Sequence, residues 1–246
     1  MIDIKIKLVD NTYYLVNQSL EDLIKSDSIV ELDCKSCQLT SLPKFHLREK
    51  LEKIDCSHNN IVSLSFEDCP NLVEIDCKGC ELNSLIIRNC QNLTKVNCSS
   101  NHLNFLRISK CLKLEELDCS KNQLKKLPTD FKNLKHLRCS NNKLSSIPKN
   151  LTTEIKNLDC ASNDFVSLPE MQKLKILDCA RNKISVLPMP NKLPKVKDID
   201  CSNNQLSTIS NYPKLKRVNC FGNKINAKSI SKISKKVQVT NTFYHW

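Results

Sequence analysis

An internal repeat constrains this chain more than any other feature of its sequence. The pattern is clearest in residues 114–128, LEELDCSKNQLKKLP, and it returns every 19 to 22 residues. Each copy places apolar residues at positions 1 and 4, cysteine at 6, asparagine or cysteine at 9, and Leu, Ile or Phe at 11. The ten copies begin at Ile29, Leu51, Leu72, Leu93, Leu114, Leu134, Ile155, Leu174, Val196 and Leu215. This period predicts a stacked array in which each copy buries its apolar face against its neighbours.

The spacing matches the leucine-rich repeat, L-x-x-L-x-L-x-x-N/C-x-L, with Cys where Leu is usual at position 6. Over residues 29–225 the chain resembles the short repeats of the LxxLDCSxNxLxxLP type, which occur in bacterial effectors, protists and large DNA viruses. The resemblance implies an α/β-type solenoid that is mostly β, a curved right-handed coil with little helix and a parallel concave sheet of about ten strands. It also implies recognition or adaptor work, as a regulatory or host-directed protein.

Alternation within each copy predicts which side chains face the core. Positions 4 and 6 point inward and positions 3 and 5 outward, so Leu117 and Cys119 are expected in the core and Glu116 and Asp118 on the surface. Repeats 2 to 4 carry a further apolar segment, at 64–66, 85–87 and 106–108, each followed by another cysteine, which predicts a second short strand. From repeat 5 onward Leu-Pro or Ile-Pro replaces that segment and predicts irregular backbone.

The ends of the array need caps, because an open end would expose apolar surface and a strand edge to water. We assign residues 1–28 to an N-terminal cap, in which alternation over 2–9 and 13–16 predicts a hairpin and Ser19 with Asp22 predicts a short helix. Residues 29–225 are the ten repeats. Residues 226–246 are assigned to a C-terminal cap with a helical turn in 229–236, a closing strand in 237–239 and an aromatic end packed against the last repeat.

Composition excludes several classes of function. Only two glycines are present, so phosphate-cradling loops are absent. No apolar run is long enough for a membrane span, and the first residues lack the apolar stretch of a secretory signal. Ten of the fifteen cysteines occupy the inward position 6, where they act as small hydrophobes. These features predict reduced thiols without disulfides and a soluble protein in the reducing cytoplasm.

Two motifs that resemble chemical sites have structural explanations. The C-x-x-C pairs Cys34/Cys37 and Cys77/Cys80 could suggest zinc, but each is position 6 plus position 9, and the two pairs are separated by an intervening coil. The five histidines have no nucleophile or carboxylate predictably placed beside them. We therefore expect no metal, no cofactor and no enzymatic activity.

Charge supplies the hints about a partner. Position 5 is an almost continuous acidic column interrupted by Arg138, and position 2 carries a lysine in each of repeats 6 to 10. The aspartates either hydrogen-bond locally to serines and turn amides or receive a basic segment of another protein. Residues 1–113 hold 14 Lys and Arg against 15 Asp and Glu, whereas residues 114–246 hold 24 against 11. That excess is either a solvated surface or a site for an acidic partner.

The sequence therefore predicts a monomeric, non-enzymatic module that binds another protein on the concave face of the solenoid. A basic segment is one candidate feature of that partner. The alternative is binding of nucleic acid or an anionic membrane through the basic C-terminal half. The candidate contact residues occupy positions 3 and 5 near the middle of the array. They are Glu116, Asp118, His136, Arg138, Asn157, Asp159, Ile176 and Asp178.

Overall fold

The computed structural model describes residues 4–8, 13–16, 29–42, 45–46, 49–233 and 235–240. They belong to two compact units: unit 1 contains residues up to 124 together with 130–133, and unit 2 contains 125–129 and residues from 134 onward. Both are mostly-strand parallel β-solenoids with very little helix, and five repeats begin in each, which confirms the predicted fold class. The helix expected after Ser19 and the aromatic end at 243–246 lie outside the described residues.

The main sheet of unit 1 contains one strand from each repeat and two strands that precede the first repeat. Its strands are β1 (Ile4–Leu8), β2 (Tyr13–Val16), β3 (Ile29–Asp33), β5 (Lys53–Asp55), β7 (Glu74–Asp76), β9 (Lys95–Asn97) and β11 (Glu116–Asp118). Each strand is parallel to the next in the order β3, β5, β7, β9 and β11, whereas β1 is antiparallel to both β2 and β3. The register places Leu32 opposite Ile54 and Asp33 opposite Asp55, so equivalent repeat positions stack in columns.

A second parallel sheet confirms the extra strands expected in repeats 2 to 4. It consists of β4 (Phe45–His46), β6 (Ser63–Glu67), β8 (Ser84–Arg88) and β10 (Arg107–Ser109), in that order. Its inward side chains, such as Phe66 and Ile87, are fully buried, and so is the cysteine that follows each strand from β6 to β10. Unit 1 is therefore a core enclosed by two parallel sheets.

Unit 2 has one parallel sheet. Its strands are β12 (His136–Arg138), β13 (Asn157–Asp159), β14 (Ile176–Asp178), β15 (Asp198–Asp200), β16 (Arg217–Asn219) and β17 (Gln238–Thr240). The Leu-Pro segments opposite it form irregular backbone, with 3-10 turns at Lys149–Leu151 and Pro190–Lys192. A single α-helical turn, α1 (Ala227–Ile230), is capped by Asn226, whose side chain accepts a hydrogen bond from the Ser229 N–H at 2.8 Å. Strand β17 then pairs with β16.

The cysteine columns are part of the core. All fifteen cysteines are buried and form no disulfide within the described residues, and the position 6 column is almost completely inaccessible to solvent. Burial raises the pKa of eight of these ten thiols, because a thiolate loses its hydration there. These eight are Cys34, Cys77, Cys98, Cys119, Cys160, Cys179, Cys201 and Cys220. They act as neutral hydrophobes rather than as nucleophiles.

The position 9 asparagines satisfy the backbone where each coil turns, as the sequence predicted. Asn101 is 5% exposed, and its Nδ2 donates to the carbonyls of Cys77 at 2.9 Å and Cys98 at 3.0 Å. Its Oδ1 accepts from the Leu82 N–H at 3.0 Å. Where position 9 is Cys80, the thiol keeps one such bond, to the Cys56 carbonyl at 3.2 Å. Within each unit, successive coils are thus hydrogen-bonded to one another through this column.

Candidate interaction surface

The outward side chains of each main sheet are the residues at positions 3 and 5. In β14, for example, Ile176 is 45% exposed while Leu177 between it and Asp178 is buried. Glu116 and Asp118 lie on this face of the unit 1 sheet. The structure brings the other six candidate residues together on β12, β13 and β14 of unit 2. They are His136, Arg138, Asn157, Asp159, Ile176 and Asp178, and they line a shallow cavity of about 190 Å³.

The position 5 carboxylates are held by local hydrogen bonds. In nine of the ten repeats the side-chain oxygen of the Asp or Asn at this position accepts from the backbone N–H two residues later, and Asp118 receives this bond from Ser120 at 3.0 Å. The Ser120 hydroxyl adds a second bond to the same oxygen at 2.6 Å. Among the nine is Asn219, whose side chain accepts from the Phe221 N–H. The acidic column therefore has a structural role, which supports the local account of it.

Asp178 is less well compensated than its neighbours. Position 7 of its repeat is Ala180, which offers a backbone N–H at 3.0 Å but no hydroxyl. Asp159 also has an alanine, Ala161, at position 7 of its repeat, but its second oxygen accepts from the Ser140 hydroxyl at 2.8 Å. Burial, together with the charges of Asp200 and Asp159, raises the pKa of Asp178 above its usual value. Hence Asp178 is a carboxylate that a cationic group on a partner would stabilise.

The position 3 column changes character between the units. In unit 1 it alternates in charge, so that residues on successive strands neutralise each other, as Lys95 and Glu74 do at 2.6 Å. In unit 2 the first three members of this column are His136, Asn157 and Ile176, with no such pair. The column ends with Asp198 and Arg217, which pair at 2.7 Å. The strands β12 to β14 therefore present an apolar side chain and free polar groups where other strands present ion pairs.

Arg138 is the one cation in the position 5 column. Its side chain is exposed, and within the described parts of the chain it forms no ion pair. Because the neighbouring position 5 residue on β13 is Asp159, the surface offers both signs of charge beside Ile176.

A second, larger cavity extends this surface toward the end of the chain. It has a volume of about 370 Å³ and is shared by β14 to β17. Its lining includes Arg217, Gln238 and Thr240, which sequence reasoning did not select. The expected strand at 237–239 was the available signal, because a strand stacked in the same parallel register places its outward residues on the same face.

The described residues offer little basis for other chemistry. No group of three or more His, Cys, Asp or Glu side chains among them is arranged to hold a metal ion. A hydrogen bond from Cys56 lowers the pKa of Cys80, but this thiol is only 2% exposed. Nor does the described part of the chain include a helix that is long and apolar enough to cross a bilayer.

Family comparison agrees with the repeat and the fold. A two-copy leucine-rich-repeat model matches residues 172–214, and a single-repeat model matches residues 50–72, 113–134 and 133–153. The chain is a leucine-rich-repeat protein. Comparison with curated protein sequences gives no match.

Solved structures with this fold include one from a bacterium and two from protein complexes. The functional domain of InlJ from Listeria monocytogenes, which includes a cysteine ladder, is 22% identical with a TM-score of 0.60, covering 86% of this chain and 53% of that one. A chain of the Toll–Spatzle complex from Drosophila gives 18% identity and a TM-score of 0.74, covering 91% of this chain and 36% of that one. A chain of the octameric complex of Latrophilin 3, Unc5D and the FLRT2 LRR gives 18% and 0.62, covering 88% and 84%. This chain thus spans about half of the InlJ domain.

Proposed function

We propose that the chain is a non-enzymatic protein-interaction module whose main contact surface is the sheet face of β12 to β14. The observation that carries the proposal is the break in the position 3 ion pairs, which leaves Ile176 45% exposed over a cavity. An exposed apolar residue surrounded by polar groups that can donate and accept is the usual composition of an interface centre. The complexes of Toll and of FLRT2 with other proteins support this class of function.

The preferred partner carries an apolar side chain for the cavity and a cationic group for Asp178. The partner's cation would lie beside the carboxylate whose pKa is raised, so binding would favour the ionised form. Arg138 would form an ion pair with an acidic group of the same partner. Glu116 and Asp118 are proposed as a further contact on unit 1. The surface needs no ordering before it binds, because its residues stand on a regular sheet.

A photo-cross-linking residue at position 176 tests the surface directly. The matched control places the same group at Val186, which is 64% exposed in unit 2 but not on the sheet strands. We expect position 176 to cross-link to one discrete protein in cell extract and position 186 not to do so. Equal cross-linking from both positions would refute the proposed surface.

The charge component is tested with Asp178→Asn. Asparagine already occupies position 5 at Asn97 and Asn219, where the side chain accepts the same backbone bond at 3.2 Å, so the fold should be retained. We expect this variant to weaken partner capture by about 5- to 30-fold, and a matched Asp164→Asn variant to change it little. Unchanged capture by Asp178→Asn would remove the carboxylate from the proposal. Activity of the chain on a substrate would contradict its non-enzymatic part.

A further inference from the structure

Unit 2 contains an excess of positive charge that its own acidic groups do not neutralise. It holds 22 Lys and Arg against 7 Asp and Glu. Four of the seven acids pair with cations, namely Glu154 with Lys173, Asp164 with Lys183, Glu170 with Lys192 and Asp198 with Arg217. The other three are position 5 aspartates held by backbone N–H groups. The ion pairs of the described residues in this unit use none of the lysines considered next.

Many of those lysines are stacked in a regular way. The lysines at position 2 follow one another from coil to coil: the Lys175 N–H donates to the Lys156 carbonyl at 2.7 Å, and the Lys197 N–H to the Lys175 carbonyl at 2.8 Å. The Lys216 N–H continues the series, bonding the Lys197 carbonyl at 2.7 Å. Backbone bonds at every step fix these residues in one column, with a spacing of about 4.8 Å between strands.

A second column lies two residues earlier, at the turn that leads into each strand. Lys195 lies in the turn closed by the Val196 N–H and the Leu193 carbonyl, and Lys214 in the turn closed by the Leu215 N–H and the Tyr212 carbonyl. The K-x-K motif at 195–197 and 214–216 thus aligns on adjacent coils. We define the lysine columns as six residues that form no ion pair within the described parts of the chain. They are Lys156, Lys175, Lys195, Lys197, Lys214 and Lys216.

We propose that the lysine columns bind the phosphate backbone of a nucleic acid without reading its bases. A duplex carries one charge per about 3.4 Å along each strand, so a regular row of lysines can contact several phosphates. Lysine acts as a point charge toward phosphate, whereas arginine is the usual residue for bidentate carboxylate and base recognition. The columns contain no arginine and no aromatic residue, which excludes base reading and stacking as the source of affinity.

A linear polymer suits the site better than a membrane plane does. The acidic column Asp159, Asp178 and Asp200 runs parallel to the lysines, three residues further along each strand. A flat anionic bilayer that reached the lysines would also approach these carboxylates, whereas a polymer can follow the lysines alone. The lysine columns adjoin β13 and β14 but share no residue with the contact surface proposed above, and this proposal stands independently of the proposed function.

The test measures fluorescence anisotropy of a labelled mixed-sequence 20-base-pair duplex. The test variant Lys175→Glu/Lys197→Glu/Lys216→Glu is compared with Lys143→Glu/Lys149→Glu/Lys224→Glu, which removes the same charge from exposed lysines outside the columns. Contact with about four phosphates predicts a slope near −3.6 for log K against log salt. We expect the test variant to lose at least 10-fold in affinity and to lower the slope by about 2.7, and the control to lose less than 3-fold.

Equal losses in the two variants would show that net charge alone attracts the duplex, and would overturn the proposal. Phosphatidylserine vesicles and polyglutamate are measured as competitors at the same salt concentration. A tighter interaction of either competitor with the lysine columns, lost in the test variant, would also overturn it in favour of a membrane or an acidic protein. Circular dichroism of both variants checks that the coils remain folded.

Discussion

Removing one position 9 asparagine should have a large and calculable effect. In Asn101→Ala the Cys98 carbonyl would still accept from Asn122 Nδ2 at 3.0 Å, and the Ser99 carbonyl would still accept from the Gly79 N–H at 2.9 Å. The Cys77 carbonyl and the Leu82 N–H would lose the bonds that Asn101 makes to them. Two buried unpaired groups at about 1–3 kcal/mol each predict a loss of roughly 2–6 kcal/mol in the free energy of unfolding.

The chain provides both a control and an intermediate case. Asn104 is exposed three residues further along, so Asn104→Ala should change the free energy of unfolding by no more than about 0.5 kcal/mol. Asn101→Cys should fall between the two, because Cys80 retains one donor bond at the equivalent position.

Urea unfolding followed by circular dichroism measures the global effect of these variants, and hydrogen exchange of the Leu82 amide measures the local one. The local measurement is needed because repeat arrays can unfold in parts. We expect the Leu82 amide to lose protection in Asn101→Ala and to keep it in Asn104→Ala. If Asn101→Ala and Asn104→Ala unfold within about 1 kcal/mol of each other, the asparagine column does not hold the coils together.

Three further predictions concern pH, the acidic column and the second sheet. Burial raises the pKa of thiols such as Cys98 above the ordinary value of 9.0, so their contribution to the free energy of unfolding is fully present below the pKa of the unfolded chain. As pH rises above that pKa, the free energy of unfolding should fall by up to about 1.4 kcal/mol per thiol per pH unit. Unfolding in reductant that is unchanged between pH 8 and 10 would contradict this. In Ala180→Ser the new hydroxyl should donate to Asp178, as the Ser202 hydroxyl does to Asp200 at 2.7 Å. This bond should lower the pKa of Asp178 in a carboxyl NMR titration and raise the free energy of unfolding above pH 4 by about 1 kcal/mol. An unchanged titration would count against it. Phe66→Ala should cost about 3–5 kcal/mol in urea unfolding, against less than about 0.5 for the exposed control Val62→Ala, and similar costs would show that the second sheet contributes little core.

The sequence predicted the fold well because each column repeats the same physical requirement. Leu117 and Cys119 had to be buried once the strand alternation was recognised, and the extra segment ending at Ile87 predicted the second sheet. The cap assignments and the candidate contact residues stay predictions. The division into two units had no signal, since the pattern runs through residues 114–155 without a change in period.

The surface was harder to predict because it depends on which residues pair across coils. Spacing alone placed Ile176 and Asp178 outward, but not the ion pair of Asp198 with Arg217 that distinguishes one part of the column from another. Likewise, the sequence does not show that Ala180 deprives Asp178 of a bond such as the one that the Ser202 hydroxyl donates to Asp200. Side-chain pairing is a property of neighbouring coils, so it emerges only when the register is known.

The strict stacking of equivalent positions restricts how such a chain can change in length. Loss of a single residue within a strand would move the later side chains of that strand to the opposite face, as a one-residue slip does in any sheet. Loss or duplication of one whole period would instead restore every column beyond it. Descendants of this gene should therefore gain or lose strands in whole-coil steps, whereas single-residue changes should fall in the connecting turns, where the 19- to 22-residue spacing already varies.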